Sequence, residues 1–277
     1  MTARTASGWM IGGASVRGAA HVRTGRPNQD AVKWSPPCGP GSRVVVAVSD
    51  GHGADAHFRS ADGARLAVDQ AVDLFAWHLD ESENDEAEGG LAGEVARAWR
   101  KAVEADLSAN PYPTQQRPGA GPRLAPYGAT LLTLGANDSV MTMLQIGDGD
   151  LLLGYADGSL ERPLRSDESL IGEETYSLCQ DDAETRFRVA SLWRESSKRW
   201  PDFAMLASDG VSKSFRDDST FEDAIGRLRV LAATEWDAMI EALPDWLADV
   251  SAKGSGDDSS LCIVSRISPG ATKTNGN

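Results

Sequence analysis

The chain has 277 residues with 27 basic against 41 acidic side chains, a formal charge of −14. Such an acidic excess repels nucleic-acid phosphates and anionic lipid, which argues against nucleic-acid and membrane-surface partners. Hydrophobic residues make up 41%, enough for a buried core in one large or two small domains.

In chain order, residues 1–8 read as a disordered leader without the apolar core of a signal peptide. Short Val-, Ile- and Leu-rich segments predict strands near 9–16, 43–49, 128–136, 139–146, 150–155, 185–192, 203–208 and 260–267. After the opening strands, Val68, Val72, Phe75 and Leu79, then Leu91, Val95, Trp99 and Val103, recur at spacings of three and four, which predicts two helices. The acidic run DESENDEAEGG between them reads as a solvated connection. The Pro/Gly-dense stretch 109–128 predicts a long irregular loop. Two further helices are expected near 220–233 and 236–252, the second interrupted at Pro244, and residues 268–277 read as a frayed tail. Without βα alternation this order implies one α+β domain over 9–267, mostly antiparallel, with helices outside the sheets. Cys38, Cys179 and Cys262 match neither a zinc pattern nor a disulfide framework. No stretch reaches the ~20 apolar residues of a membrane span. A cytoplasmic protein is expected.

Three core-like strands end in Asp-Gly: VVVAVSDG at Asp50, MLQIGDG at Asp148 and FAMLASDG at Asp209. Each pair alone is a common hairpin turn. Two more acidic features flank apolar segments, Asp30 in PNQDAV and Asp257-Asp258 in GSGDDSSLCIV. If these ends converge, their carboxylates repel one another unless cations neutralise them. An all-oxygen donor set suits Mg²⁺ or Mn²⁺ better than zinc or copper. The glycine after each aspartate is expected to let a backbone carbonyl approach the ion.

With NQD, SDGHG, YGATLL, IGDGD, ASDG and GDDSSL in this order, the chain resembles the metal-dependent protein phosphatases of type 2C over about residues 10–266. The resemblance implies an α-β-β-α sandwich, two stacked antiparallel sheets flanked by helix pairs, with two Mn²⁺ or Mg²⁺ ions at one end. It implies that Asp50 bridges the ions, that the Gly51 carbonyl ligates the second, and that Asp209 and Asp257 hold the first. Asp148 matches an aspartate that helps to hold a third, weaker ion in some members. Many members have Glu-Asp where this chain has Gln29-Asp30, so either the Gln29 amide oxygen coordinates, more weakly than the usual carboxylate, or Asp30 takes the ligand role or binds metal waters. Asp258 reads as a supporting or turn residue. Arg23 and Arg26 both precede this block; the pattern favours Arg23 as the guanidinium that grips phosphate.

The implied activity is serine/threonine phosphoprotein dephosphorylation by direct attack of a water bridging the metals, opposing a Ser/Thr kinase. His52, two residues after Asp50, matches the proposed general acid for the leaving alkoxide. His21, His57 and His78 show no such constellation and read as surface or packing residues. The alternative is a catalytically weak member that uses the fold to bind a phosphoprotein or regulatory partner. CGPGSR is one residue short of a Cys-x5-Arg loop, and no Walker loop is present, which argues against thiolate and kinase chemistry.

Overall fold

Along Val44–Ser49 every residue is buried, with Val44, Val46 and Val48 turned to one core and Val45 and Ala47 to another. A strand buried on both faces must lie between two layers, because its period of two sends alternate side chains in opposite directions. The same alternation divides the rest of the molecule. The computed structural model describes residues 8–37, 39–81, 88–116, 122–164 and 175–267. The expected termini at 1–7 and 268–277, Cys38 and part of the acidic connection lie outside these residues.

Ten strands form in chain order: β1 (Trp9–Val16), β2 (Ala31–Ser35), β3 (Val44–Ser49), β4 (Leu131–Ala136), β5 (Val140–Ile146), β6 (Asp150–Gly154), β7 (Leu160–Glu161), β8 (Arg188–Trp193), β9 (Phe203–Ala207) and β10 (Ser259–Arg266). They make two five-stranded antiparallel sheets, in the orders β1-β10-β9-β6-β7 and β2-β3-β4-β5-β8. The helices are α1 (Ala19–Thr24), α2 (Ser60–Glu81), α3 (Glu88–Ala109), α4 (Asp209–Ser212), α5 (Asp218–Thr234) and α6 (Trp236–Lys253). Leu132, Leu134, Met141, Met143, Leu151, Leu153, Leu206 and Val264 fill the layer between the sheets. Val68, Val72, Phe75, Val95, Trp99 and Val103 of α2 and α3 cover the second sheet. Phe221, Ile225, Leu228, Met239, Leu243 and Leu247 of α5 and α6 cover the first. Full burial of a Val, Leu or Phe side chain is worth about 1.5–3 kcal/mol, several times a surface ion pair, so these three apolar layers set strand register. The predicted α+β sandwich is the observed fold.

Several local expectations change. Helix α6 runs through Pro244 without interruption. Pro244 is exposed, where water can serve the carbonyl left unpaired, while Met239, Leu243 and Leu247 hold the other face in the core. Gly89 and Gly90, read as the end of a solvated connection, lie in the first turn of α3. The short β2 and β7 and the short helices α1 and α4 were not predicted from periodicity, since two to six residues give too few repeats.

Gly63 and Gly226 are both helical but differ in surroundings. A Cβ on Gly63 would meet the Tyr127 carbonyl oxygen at 1.9 Å, whereas one on Gly226 would meet nothing within 4 Å. Gly63→Ala should therefore destabilise by about 1–3 kcal/mol, and Gly226→Ala should stabilise by about 0.5–1 kcal/mol. Urea unfolding of the two variants checks both signs.

Candidate metal centre

Antiparallel pairing delivers the acidic strand ends to one place. Asp50 follows β3, and Asp30 precedes the neighbouring β2, with Ala31 paired to Ser49. Asp209 follows β9, and Asp257 and Asp258 precede the neighbouring β10, with Leu261 paired to Ala207. Asp148 lies in the turn between β5 and β6, the connection that passes from one sheet to the other. Residues 227 positions apart in sequence thus meet at one end of the sandwich.

Hydrogen bonds lock this end across the gap between the sheets. Ser208 Oγ, after β9, donates to Asp30 Oδ2 at 2.7 Å, and Ser260 N donates to Ser208 Oγ at 3.0 Å. The carboxylate of Asp258 accepts from Gly18 N and Gln29 N, each at 2.6 Å, and pairs with His21 Nδ1 at 2.9 Å. Asp258 is thereby engaged by three protein groups. The Asp-Gly glycines also admit neighbouring backbone. A Cβ on Gly210 would lie 2.0 Å from the Asp258 carbonyl oxygen, one on Gly149 2.7 Å from that of Ala207, and one on Gly51 2.7 Å from those of Gln29 and Ser60. Their missing side chains admit neighbouring backbone, which lets the strand ends crowd together.

Crowding shows in the electrostatics. Burial, then the negative charges of Asp30, Asp209 and Asp257, push the Asp50 carboxyl well above the ordinary carboxylate range. Burial raises Asp30 to about 7 and Asp148 to about 6, with Asp209 adding repulsion at both. Asp257 also rises, through burial and Asp209. At Asp209 burial acts in the same direction but is outweighed by the Lys213 ammonium, so its carboxyl stays below the usual value. Lys213 also lies 4.0 Å from Asp148. Five carboxylates therefore share one electrostatic environment, with Lys213 at one corner.

The donor set fits hard divalent cations. Among the described residues, Gln29 Oε1, Asp30 Oδ1 and Asp209 Oδ1 are buried without a hydrogen-bond partner. An unsatisfied buried acceptor costs about 1–3 kcal/mol, more when charged, and a cation can serve several at once. The Gln29 amide is turned for this: its Nε2 donates to Ser60 Oγ at 2.5 Å and to the His52 carbonyl at 3.4 Å, leaving Oε1 free. Asp50, Asp209 and Asp257 face one another but do not close tightly. Among the described residues, the three side chains whose ligand atoms lie within 4.8 Å of one another are His21, Asp257 and Asp258.

His52 is partly buried beside Asp50. Burial and the neighbouring His57 push its pKa down to about 4, while Asp209 acts in the opposite direction. The His57 ring meets it edge-on with centroids 4.9 Å apart, and His57 Nδ1 is anchored on the Ala125 carbonyl. Arg26 donates to the Gly53 carbonyl at 2.7 Å and to Asp55 at 3.2 Å, bracing the turn after His52. Arg23 is exposed on α1, and its guanidinium has no protein partner among the described residues. His21, read as a surface or packing residue, is buried and bound to Asp258. Its partner is 237 residues away and α1 has only six residues, so no local pattern announced it.

The model of the family described as protein phosphatase 2C matches residues 17–248. No curated protein sequence matches the chain. Among solved structures, the catalytic domain of the serine/threonine phosphatase PstP, in complex with two manganese ions, is 17% identical, with 95% of this chain and 100% of that one covered at a TM-score of 0.59. PppA of Pseudomonas aeruginosa, a regulatory component of the type VI secretion system, is 19% identical at the same coverage and TM-score. A bacterial serine phosphatase is 18% identical, with 92% and 96% covered and a TM-score of 0.57. These likenesses share the two-sheet fold derived above, and with the family match over most of its length, the chain belongs to the protein phosphatase 2C family.

Proposed function

We propose that the chain is a serine/threonine phosphoprotein phosphatase that uses two Mn²⁺ or Mg²⁺ ions for direct hydrolysis and opposes a Ser/Thr kinase. The observation that carries this reading is the convergence of five carboxylates with buried, unpartnered acceptor oxygens at one end of the sandwich. Asp50 would be shared by the two ions, Asp209 and Asp257 would hold the first, and the Gly51 carbonyl with Asp30 and Gln29 Oε1 would hold the second. When bound, such a pair neutralises the phosphate dianion and lowers the pKa of the attacking water.

The chain's own groups supply the rest. Arg23, whose guanidinium fork has no partner among the described residues, grips the phosphate, whereas Arg26 is spent on Gly53 and Asp55. His52, oriented by the His57 ring, protonates the departing alkoxide. An arriving phosphate dianion adds negative charge beside the imidazole and so favours the protonated form. A third ion at Asp148 would have to displace Lys213, which already faces both Asp148 and Asp209.

Release of phosphate from a phosphothreonine peptide with excess Mn²⁺ tests the reading; a folded protein with no turnover would instead favour the phosphoprotein-binding module. Asp50→Asn should lower turnover about a thousandfold without unfolding the protein. In the metal-free wild type, the folded state keeps protons on Asp30, Asp148 and Asp50 that the unfolded chain releases near pH 4. Stability therefore falls as pH rises from about 4 to about 7. Tm measured in chelator should be higher at pH 5 than at pH 8, and Mn²⁺ should remove most of that difference. Gln29→Glu should lower the Mn²⁺ concentration for half activity about tenfold through added ligand charge; an unchanged requirement would place Gln29 outside the centre. Arg23→Ala should reduce kcat/KM about 10–100-fold, the loss of a charged hydrogen bond, and a larger loss in Arg26→Ala would move the clamp to Arg26.

A further inference from the structure

We infer that His21 is a metal ligand of this centre, a nitrogen donor beside Asp257 in a set otherwise made of oxygen. The inference rests on the two-ion reading above. Its starting point is the hydrogen-bond arithmetic of Asp258. That carboxylate is buried and receives two backbone N–H groups, from Gly18 and Gln29, in addition to the contact with His21 Nδ1. The carboxylate thus holds the ring by Nδ1 and leaves Nε2 as the nitrogen turned towards Asp257.

Nε2 lies 3.8 Å from Asp257 Oδ1. That is too long for a hydrogen bond, but two donors each about 2.0–2.2 Å from one ion can have this separation. A carboxylate that holds the far nitrogen of an imidazole is the usual support of a metal-binding histidine, because it fixes both tautomer and ring orientation. His21 is 9% exposed, so its ring cannot swing out to water without leaving the core. A packing role needs neither the carboxylate anchor at Nδ1 nor the approach of Nε2 to Asp257. One imidazole in the set also predicts selectivity, since Mg²⁺ favours oxygen donors and Mn²⁺ accepts nitrogen.

Pulsed electron paramagnetic resonance on the full chain loaded with Mn²⁺ reads this directly. The wild type should show ¹⁴N coupling to bound manganese, retained in His52→Ala and lost in His21→Asn. The ratio of Mn²⁺ to Mg²⁺ affinity, from calorimetry with each metal alone, should fall about tenfold in His21→Asn. Manganese bound to the wild type without ¹⁴N coupling would overturn the inference and leave the two-ion centre standing; this needs no variant to fold. Coupling that persists in His21→Asn would overturn it as well. A wild type that takes up no manganese would sink the two-ion reading itself.

Discussion

A single buried carboxylate, Asp258, joins parts of the chain that are up to 240 residues apart. Its bonds to Gly18, His21 and Gln29 pin the helix after β1 and the start of β2 to the start of β10. Burying a charge is expensive, and here the expense is offset by donors delivered from rigid backbone. The neighbouring carboxylates, Asp30, Asp50, Asp209 and Asp257, are set in place by the same closure, since each sits within a residue or two of a strand that Asp258 helps to position. What distinguishes them is that they receive fewer donors: one Oδ of Asp30 accepts from Ser208, Asp257 accepts from Asp258 N, and Asp209 faces Lys213, while Oδ1 of Asp30 and of Asp209 is left without a partner among the described residues.

That contrast separates structure from chemistry in residues that look alike. Lys213 offsets some of the repulsion at Asp209 and Asp148, whereas burial and neighbouring carboxylates keep Asp50 and Asp30 raised. The apolar layers on both sides of each sheet supply the stability that lets such a destabilised corner persist. A functional site of this kind is a local conflict tolerated by a core that has no conflicts of its own.

The parts of this arrangement that could be read in advance are those written locally. Val44–Ser49 and Phe203–Ala207 declared themselves by continuous apolar runs, and the helices α2, α3 and α5 by their three- and four-residue spacing. The acidic strand ends were visible because Asp-Gly repeated in the same frame at positions 50, 148 and 209. Tertiary facts were not visible. The partners of His21 come from the far end of the chain, the pairing of His57 with His52 depends on the fold of a turn, and the clearance at Gly210 is set by backbone arriving from residue 258. Pro244 misled because a local rule about helix interiors was overruled by three leucine and methionine side chains already committed to the core.

The bond from Ser208 to Asp30 ties the margin of one sheet to the margin of the other. Sliding the layers past each other by one strand residue, roughly 3.3 Å, would scatter the acceptors beyond reach of a common ion. Breathing between the layers is therefore closed to this protein as a means of accommodating differently shaped partners. Adaptation to new targets is left to the rim, where connections such as the one bearing Tyr112 and Thr114 can change length or composition while the clasp beneath them stays the same.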